Sequence, residues 1–141
     1  MTLQDLKIED SIKNSELMEI FKCPNCGGMH YSKTMNTLIL IANYTTKLYN
    51  DREVNGIYYY TGMGQRGDQS KEYKQNGRLL TSKENSDLTI CLFEVRKKSQ
   101  YTYCGLVRLS SKKDVFQEEQ EDLDGCLRKV WIFPLEKIKE S

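Results

Sequence analysis

Gly56-Ile57-Tyr58-Tyr59-Tyr60-Thr61-Gly62-Met63-Gly64 is the stretch on which the fold turns. Its aromatic and β-branched residues, closed off by two glycines, predict a strand ending in a tight turn. In a strand, Tyr58 and Tyr60 share one face and Tyr59 takes the other. Aromatic packing on both sides of a barrel strand accounts for that pattern. The neighbourhood offers a second reading, because six tyrosines lie between Tyr44 and Tyr73. Tyrosine supplies a flat face for stacking and a hydroxyl that stays hydrated, which suits a nucleobase pocket.

Outward from this strand, residues 37–43 form a β-branched run without polar alternation, as expected of a strand buried on both faces. Residues 89–95 and 101–109 predict a hairpin turning through 96–100. Residues 128–135 predict a last strand, ended by Pro134. Before residue 22 the pattern is helical, with Ser15 as N-cap and Leu17, Ile20 and Phe21 at helical spacing. Residues 65–88 read as polar and irregular apart from Leu79-Leu80. Short strands with helices at one end predict an α+β domain around a curved or closed sheet. No repeat, linker or low-complexity tract divides it, so one domain over 1–141 is expected.

Composition narrows the function. The 141 residues are 29% charged with a net charge of +1, and the mean hydropathy is −0.65; both fit a globular chain without a membrane span. Met1-Thr2-Leu3-Gln4-Asp5 lacks the basic start and apolar stretch of a secretory signal. Five cysteines, an odd number, argue against a disulfide framework, so the expectation is cytoplasmic. The near-neutral total hides segregation. Residues 62–113 carry eleven Lys or Arg against five Asp or Glu, and residues 114–126 carry six acidic side chains and no basic one. That distribution fits a basic face with an acidic appendage, or two solvated loops.

The single histidine, His30, excludes a His-rich metal centre and any nuclease site needing two histidines. It also leaves no persuasive Ser-His-Asp or Cys-His arrangement, so no catalytic residue is expected. Cys23-Pro24-Asn25-Cys26 is half of a zinc ribbon. With His30 it gives weak metal candidates, whereas Cys91 and Cys104 read as small core residues of strands. The glycines from Gly62 to Gly67 lack the Lys-Ser/Thr of a phosphate-binding loop. No cofactor is expected.

Five segments, in order, point to a family: Tyr60-Thr61-Gly62-Met63-Gly64-Gln65-Arg66-Gly67-Asp68-Gln69, Asn76-Gly77-Arg78-Leu79-Leu80, Leu92-Phe93-Glu94, Tyr101-Thr102-Tyr103-Cys104-Gly105 and Arg128-Lys129-Val130-Trp131-Ile132-Phe133-Pro134-Leu135. The string resembles the SRA (SET- and RING-associated) domain of bacterial modification-dependent HNH restriction endonucleases, over residues 15–135. The resemblance implies a PUA-like curved β-barrel with short flanking helices, a helical segment at 1–21 and a barrel core at 36–135. It implies a reader of modified cytosine that flips the base out of duplex DNA, without a nuclease site of its own. Cleavage would come from an HNH domain or partner chain.

On the same resemblance, Tyr60 and Thr61 belong to the base pocket, Asp51 bonds the base edge, and Tyr49 is the second stacking ring after a one-residue shift. Gln69, Lys71, Lys74, Asn76 and Arg78 would meet the DNA. The chemistry agrees with that assignment. A buried Asp51 carboxylate accepts from the cytosine amino group and repels the thymine carbonyl. Flipping costs a few kcal/mol, and stacking returns about 1–3 kcal/mol per base. One extra methyl contributes only about 0.8 kcal/mol, roughly fourfold in affinity, so selectivity for the modification needs pocket shape or easier flipping. Two other readings stay open: a PUA-like reader of modified RNA or single strands, and a zinc-stabilised protein-interaction domain.

Overall fold

An apolar run with no polar alternation must be covered on both faces, and a parallel neighbour is the usual way to achieve it. In the computed structural model, β3 (Thr37–Asn43) pairs in parallel with β6 (Thr89–Lys97), from Thr37↔Thr89 to Asn43↔Val95, and Leu38 through Ala42 are buried. Residues 5–22, 28–45, 51–64, 67–73, 75–85, 87–122 and 124–138 are described. The fold is mostly β with two short helices and separates into two compact units, 1–45 with 87–107 and 138–141, and 46–86 with 108–137.

The first unit pairs β2 (Met29–Ser32) with β3, β3 with β6, and β6 with β7 (Gln100–Leu109), whose residues up to Val107 belong here. The expected hairpin forms, with Lys97 opposite Gln100 across a two-residue turn and Ser99 left-handed at φ 65°. The short β1 (Ser11–Ile12) adds to Thr102 and Tyr101. Helix α1 (Asn14–Phe21) starts one residue before the expected cap. Lys13 is its N-cap, and the Lys13 N–H donates to Glu16 Oε1 at 3.0 Å. The helix buries Leu17, Ile20 and Phe21, with Phe21 edge-on to Phe93 at 5.9 Å.

The second unit carries the path β4 (Arg52–Val54), β5 (Ile57–Thr61), β9 (Leu127–Lys137), β8 (Phe116–Glu121), all antiparallel. Its buried side chains include Tyr58, Tyr60, Leu79, Ile132, Phe133 and Leu135. Within each unit the strand path is open at both ends among the described residues, so ring closure is not a feature of either.

Four expectations change here. The segment expected to be helical over 1–21 is α-helix only over Asn14–Phe21 among the described residues, and Ser11–Ile12 is strand β1. Pro134 does not end the last strand, which continues to Lys137. A proline fixes φ and removes a donor, but its carbonyl still accepts, here the Ser110 N–H at 2.8 Å. The acidic stretch is in part a strand: residues 116–121 form β8, while Asp114, Asp122 and Asp124 lie outside it. Phe116, Glu118 and Gln120 alternate with more exposed neighbours along β8, and they pair with Ile132, Val130 and Arg128 of β9. Within 65–88, α2 (Gln75–Leu80) and a 3-10 turn (Ser82–Glu84) form, anchored by the buried Asn76 and Leu79.

Candidate nucleic-acid interface

The geometry starts from a two-residue turn. Asn55 and Gly56 both take positive φ, 53° and 82°, the backbone that Asn-Gly supplies between antiparallel strands. The turn sets Val54 opposite Ile57 and Arg52 opposite Tyr59. Asp51 therefore stands one step along, beside Tyr60 and Thr61. Its Oδ1 accepts the Thr61 backbone N–H at 2.7 Å, and both residues are buried. Asp51, Tyr60 and Thr61 are thus brought together by the hairpin. Tyr60 is only 2% exposed, so its ring is not open to solvent in this structure. Tyr49 lies outside the described residues.

A polar chain that sequence reading did not identify supports Thr61 from β8. Gln120 Nε2 donates to Thr61 Oγ1 at 3.2 Å and to Glu118 Oε2 at 2.8 Å. Arg52 grips the same Glu118 with two bonds, 3.0 Å from Nη1 and 2.6 Å from Nη2, a charge-assisted fork. The Arg52 guanidinium also lies 5.5 Å from the centre of the Tyr59 ring. Burial pushes the Glu118 carboxyl up. The bonds from Arg52 and Gln120 and the Arg52 charge outweigh it, so the group stays below the ordinary glutamate range. The available signal was the alternation of Phe116, Glu118 and Gln120, masked by the density of acidic residues around it.

The glycine turn after Thr61 is pinned by amides. Gln69 Nε2 donates to the carbonyls of Gly62 and Gly64 at 2.7 and 3.1 Å, while its Oε1 accepts the Trp131 N–H at 2.9 Å. Asn76 Oδ1 accepts the Met63 N–H at 2.7 Å, and its Nδ2 donates to the carbonyls of Met63 and Ser70. Gln69 and Asn76, expected at the DNA, therefore point inward as fasteners of this loop. A Cβ on Gly62 would fall 2.9 Å from both Asn76 Oδ1 and a ring carbon of Phe133, which is why glycine is needed there.

Arg128 was missed as well. It is 3% exposed, and its Nη1 donates to the carbonyls of Gly64 and Gly67, while Nε and Nη2 are buried without a hydrogen-bond partner. The remaining expected DNA contacts differ in placement. Lys71 and Arg78 are exposed, Lys71 lying 5.4 Å from the centre of the Trp131 ring and Arg78 bonding Gln75. Lys74 lies outside the described residues. So do Cys23 and Cys26; His30 is buried in β2, and among the described residues no three His, Cys, Asp or Glu side chains gather as a metal site. Cys91 and Cys104 are buried in strands, as expected. No described helix is long and apolar enough to cross a membrane.

Chemically, the hairpin holds a buried carboxylate beside a tyrosine and a threonine, on a strand whose next residues are a braced glycine turn. Such a carboxylate accepts hydrogen bonds only, which discriminates an amino group from a carbonyl.

Comparison with known proteins adds three kinds of finding. A family model described as "ScoMcrA-like, SRA domain" matches residues 9–141. No curated protein matches the sequence. Among solved structures, the sulfur-binding and SRA domains of ScoMcrA complexed with phosphorothioated DNA superpose with a TM-score of 0.75 at 11% identity, covering 96% of this chain and 40% of that one. The DNA recognition domain of the cytosine modification-dependent restriction endonuclease LpnPI gives 0.70 at 14%, covering 92% and 72%. The SRA domain of SUVH5 with hemimethylated CG DNA gives 0.65 at 22%, covering 97% and 91%. This chain therefore spans about 40% of the ScoMcrA chain in that complex.

Proposed function

Because the chain belongs to the family of ScoMcrA-like SRA domains, we propose that it reads modified cytosine in duplex DNA by taking the flipped base against Tyr60 and Asp51. In this reading residues 1–141 act as one reader domain of curved-barrel type, without catalysis of its own. An HNH-type nuclease domain or chain supplies any cleavage in a restriction system, and the setting is the cytoplasm.

The observation that carries the reading is the Asp51–Thr61 contact at 2.7 Å. The contact pins one carboxylate oxygen beside Tyr60. A carboxylate fixed there favours the exocyclic amino group of cytosine over the carbonyl of thymine. Stacking requires the Tyr60 ring, now 2% exposed, to be uncovered as the DNA binds, with Tyr49 as the second ring. Lys71, Lys74 and Arg78 hold phosphates, which fix position without reading sequence. Gln69 and Asn76, expected at the DNA, also brace the glycine turn that carries the pocket.

The experiment is a binding panel at fixed, moderate salt. It compares duplexes carrying plain, methylated, hydroxymethylated, glucosylated or phosphorothioated sites, with matched RNA alongside. The reading expects a base-modified duplex to bind at least tenfold more tightly than the plain one. Equal affinity for both refutes it, and tighter binding to RNA replaces it with the RNA reading.

A further inference from the structure

A concavity is lined by Lys71, which follows the braced loop, and by Trp131 of β9. It encloses about 290 Å³, with the half-buried Trp131 ring as one wall, Leu80 and Val115 as apolar floor, and Lys71, Lys83 and Lys113 around it. Asp114 is its one carboxylate, so the lining carries three cations against one anion. The volume is near the lower bound, about 300 Å³, for sites that take small organic ligands. That is room for a single nucleotide and too little for a duplex.

Two of its walls are built rather than incidental. Ser110, 1% exposed, accepts the N–H groups of Lys112 and Lys113 at 3.0 and 3.2 Å, and its hydroxyl lies 3.2 Å from Glu136 Oε2. That turn fixes the start of the Lys113 side chain. The Trp131 backbone is held by Gln69, two residues before Lys71, whose Oε1 accepts the backbone N–H, and the Trp131 carbonyl accepts the Gly62 N–H at 2.9 Å. The groove is therefore continuous with the loop that leads out of the base-reading strand.

We propose that this groove binds one nucleotide of a nucleic-acid strand, the base against Trp131 and its phosphate among Lys71, Lys83 and Lys113. An aromatic face beside clustered cations is what a strand with alternating bases and phosphates recognises without regard to sequence. The proposal rests on the reading above only for the nature of the ligand. Cytosine plays no part in it.

Trp131 is the only tryptophan of the chain, so its emission reports occupancy directly. The probe is tetrathymidylate, which carries no cytosine for the Asp51 pocket to read. Saturable quenching of Trp131 emission is expected, weakening as salt rises. Replacing Lys83→Gln and Lys113→Gln together should flatten the log-affinity against log-salt slope by about 0.7, the value for the one phosphate they hold. Trp131→Ala should weaken binding of a labelled probe about tenfold, and Trp131→Phe much less. Should the alanine variant fail to fold, the double lysine variant still decides.

Absence of quenching overturns the proposal, as does an unchanged salt slope in the double variant. Equal effects from inorganic phosphate or polyglutamate at matched concentration also overturn it. A preference for modified over plain duplex, together with no quenching by tetrathymidylate, sinks the groove and leaves the cytosine reader standing. Quenching by thymidylate with no preference for modified duplex does the reverse.

Discussion

Asp51 and Thr61 close the end of the β4–β5 hairpin on each other: the Thr61 backbone N–H donates to the Asp51 carboxylate at 2.7 Å across ten residues of chain. The bond completes a strand end, and in the proposed reading the same carboxylate also meets the flipped base. Those roles separate by substitution. Asp51→Ala leaves the Thr61 N–H buried without this acceptor, which costs about 1–3 kcal/mol of stability. Urea denaturation should show that loss together with at least tenfold weaker binding to modified duplex. Asp51→Asn keeps an acceptor for Thr61, so the denaturation midpoint should stay near that of the parent. Its amide N–H₂ then confronts the cytosine amino group, so the preference for cytosine over thymine should vanish while the fold persists.

Glu118 links the site to pH. Its folded carboxyl is held below the ordinary glutamate range, since the bonds from Arg52 and Gln120 outweigh the opposing effect of burial. The unfolded chain then binds the proton more tightly than the folded one. The stabilisation is present above the ordinary glutamate range and is lost as pH falls through the lower folded value. The Glu118 side chain is 22% exposed, so water limits the gain to under about 1 kcal/mol. Melting temperatures from neutral to acid pH should drop more steeply for the parent than for Glu118→Gln. A difference between the two that does not vary with pH contradicts the assignment.

Gly62 leaves no room for a methyl group, with Asn76 Oδ1 and Phe133 each 2.9 Å from the position a Cβ would take. Both neighbours are fully buried, so neither can swing out to solvent. Gly62→Ala should cost about 1–3 kcal/mol, read as a lower denaturation midpoint. Faster amide exchange at Met63, whose N–H depends on Asn76, should accompany it.

Arg128 trades stability for loop order. Its Nη1 ties down the carbonyls of Gly64 and Gly67, yet Nε and Nη2 are buried without partners. Arg128→Met removes both the tie and the unpaired donors. Net stability should therefore change by no more than about 1 kcal/mol, because burying an imperfectly paired charge is costly. Hydrogen exchange around Gly67 to Gln69 should accelerate all the same, and DNA affinity should fall with it. A large loss of stability without a change in exchange refutes this role.

How far the sequence reaches can be judged from particular residues. The run at 37–43 and the hairpin at 89–109 were legible because burial on both faces and β-branched content leave few alternatives. Asp51, Tyr60 and Thr61 could be gathered only through a resemblance. The Asn55-Gly56 turn that sets their register is nevertheless a local signal, which the neighbouring tyrosines overshadowed. Strand β8 was hidden because its inward Glu118 and Gln120 are polar, satisfied by Arg52 and Thr61 in other strands. Pro134 looked like a strand end because a missing donor is visible in sequence, whereas the Ser110 N–H that its carbonyl receives is not. Gln69 and Asn76 were assigned to the DNA through the resemblance. Only three-dimensional structure reveals that their amides are spent on the glycine turn.

The most direct test places 2-aminopurine beside a methylated cytosine in a duplex and follows its fluorescence during titration with the parent, Tyr60→Ala and Asp51→Ala proteins. The account predicts a rise in emission with the parent protein, reporting an unstacked neighbour, at concentrations at least tenfold below those needed for plain duplex. Both variants, checked as folded, should lose most of that response. A parent protein that binds the two duplexes equally and leaves 2-aminopurine stacked would contradict the central claim.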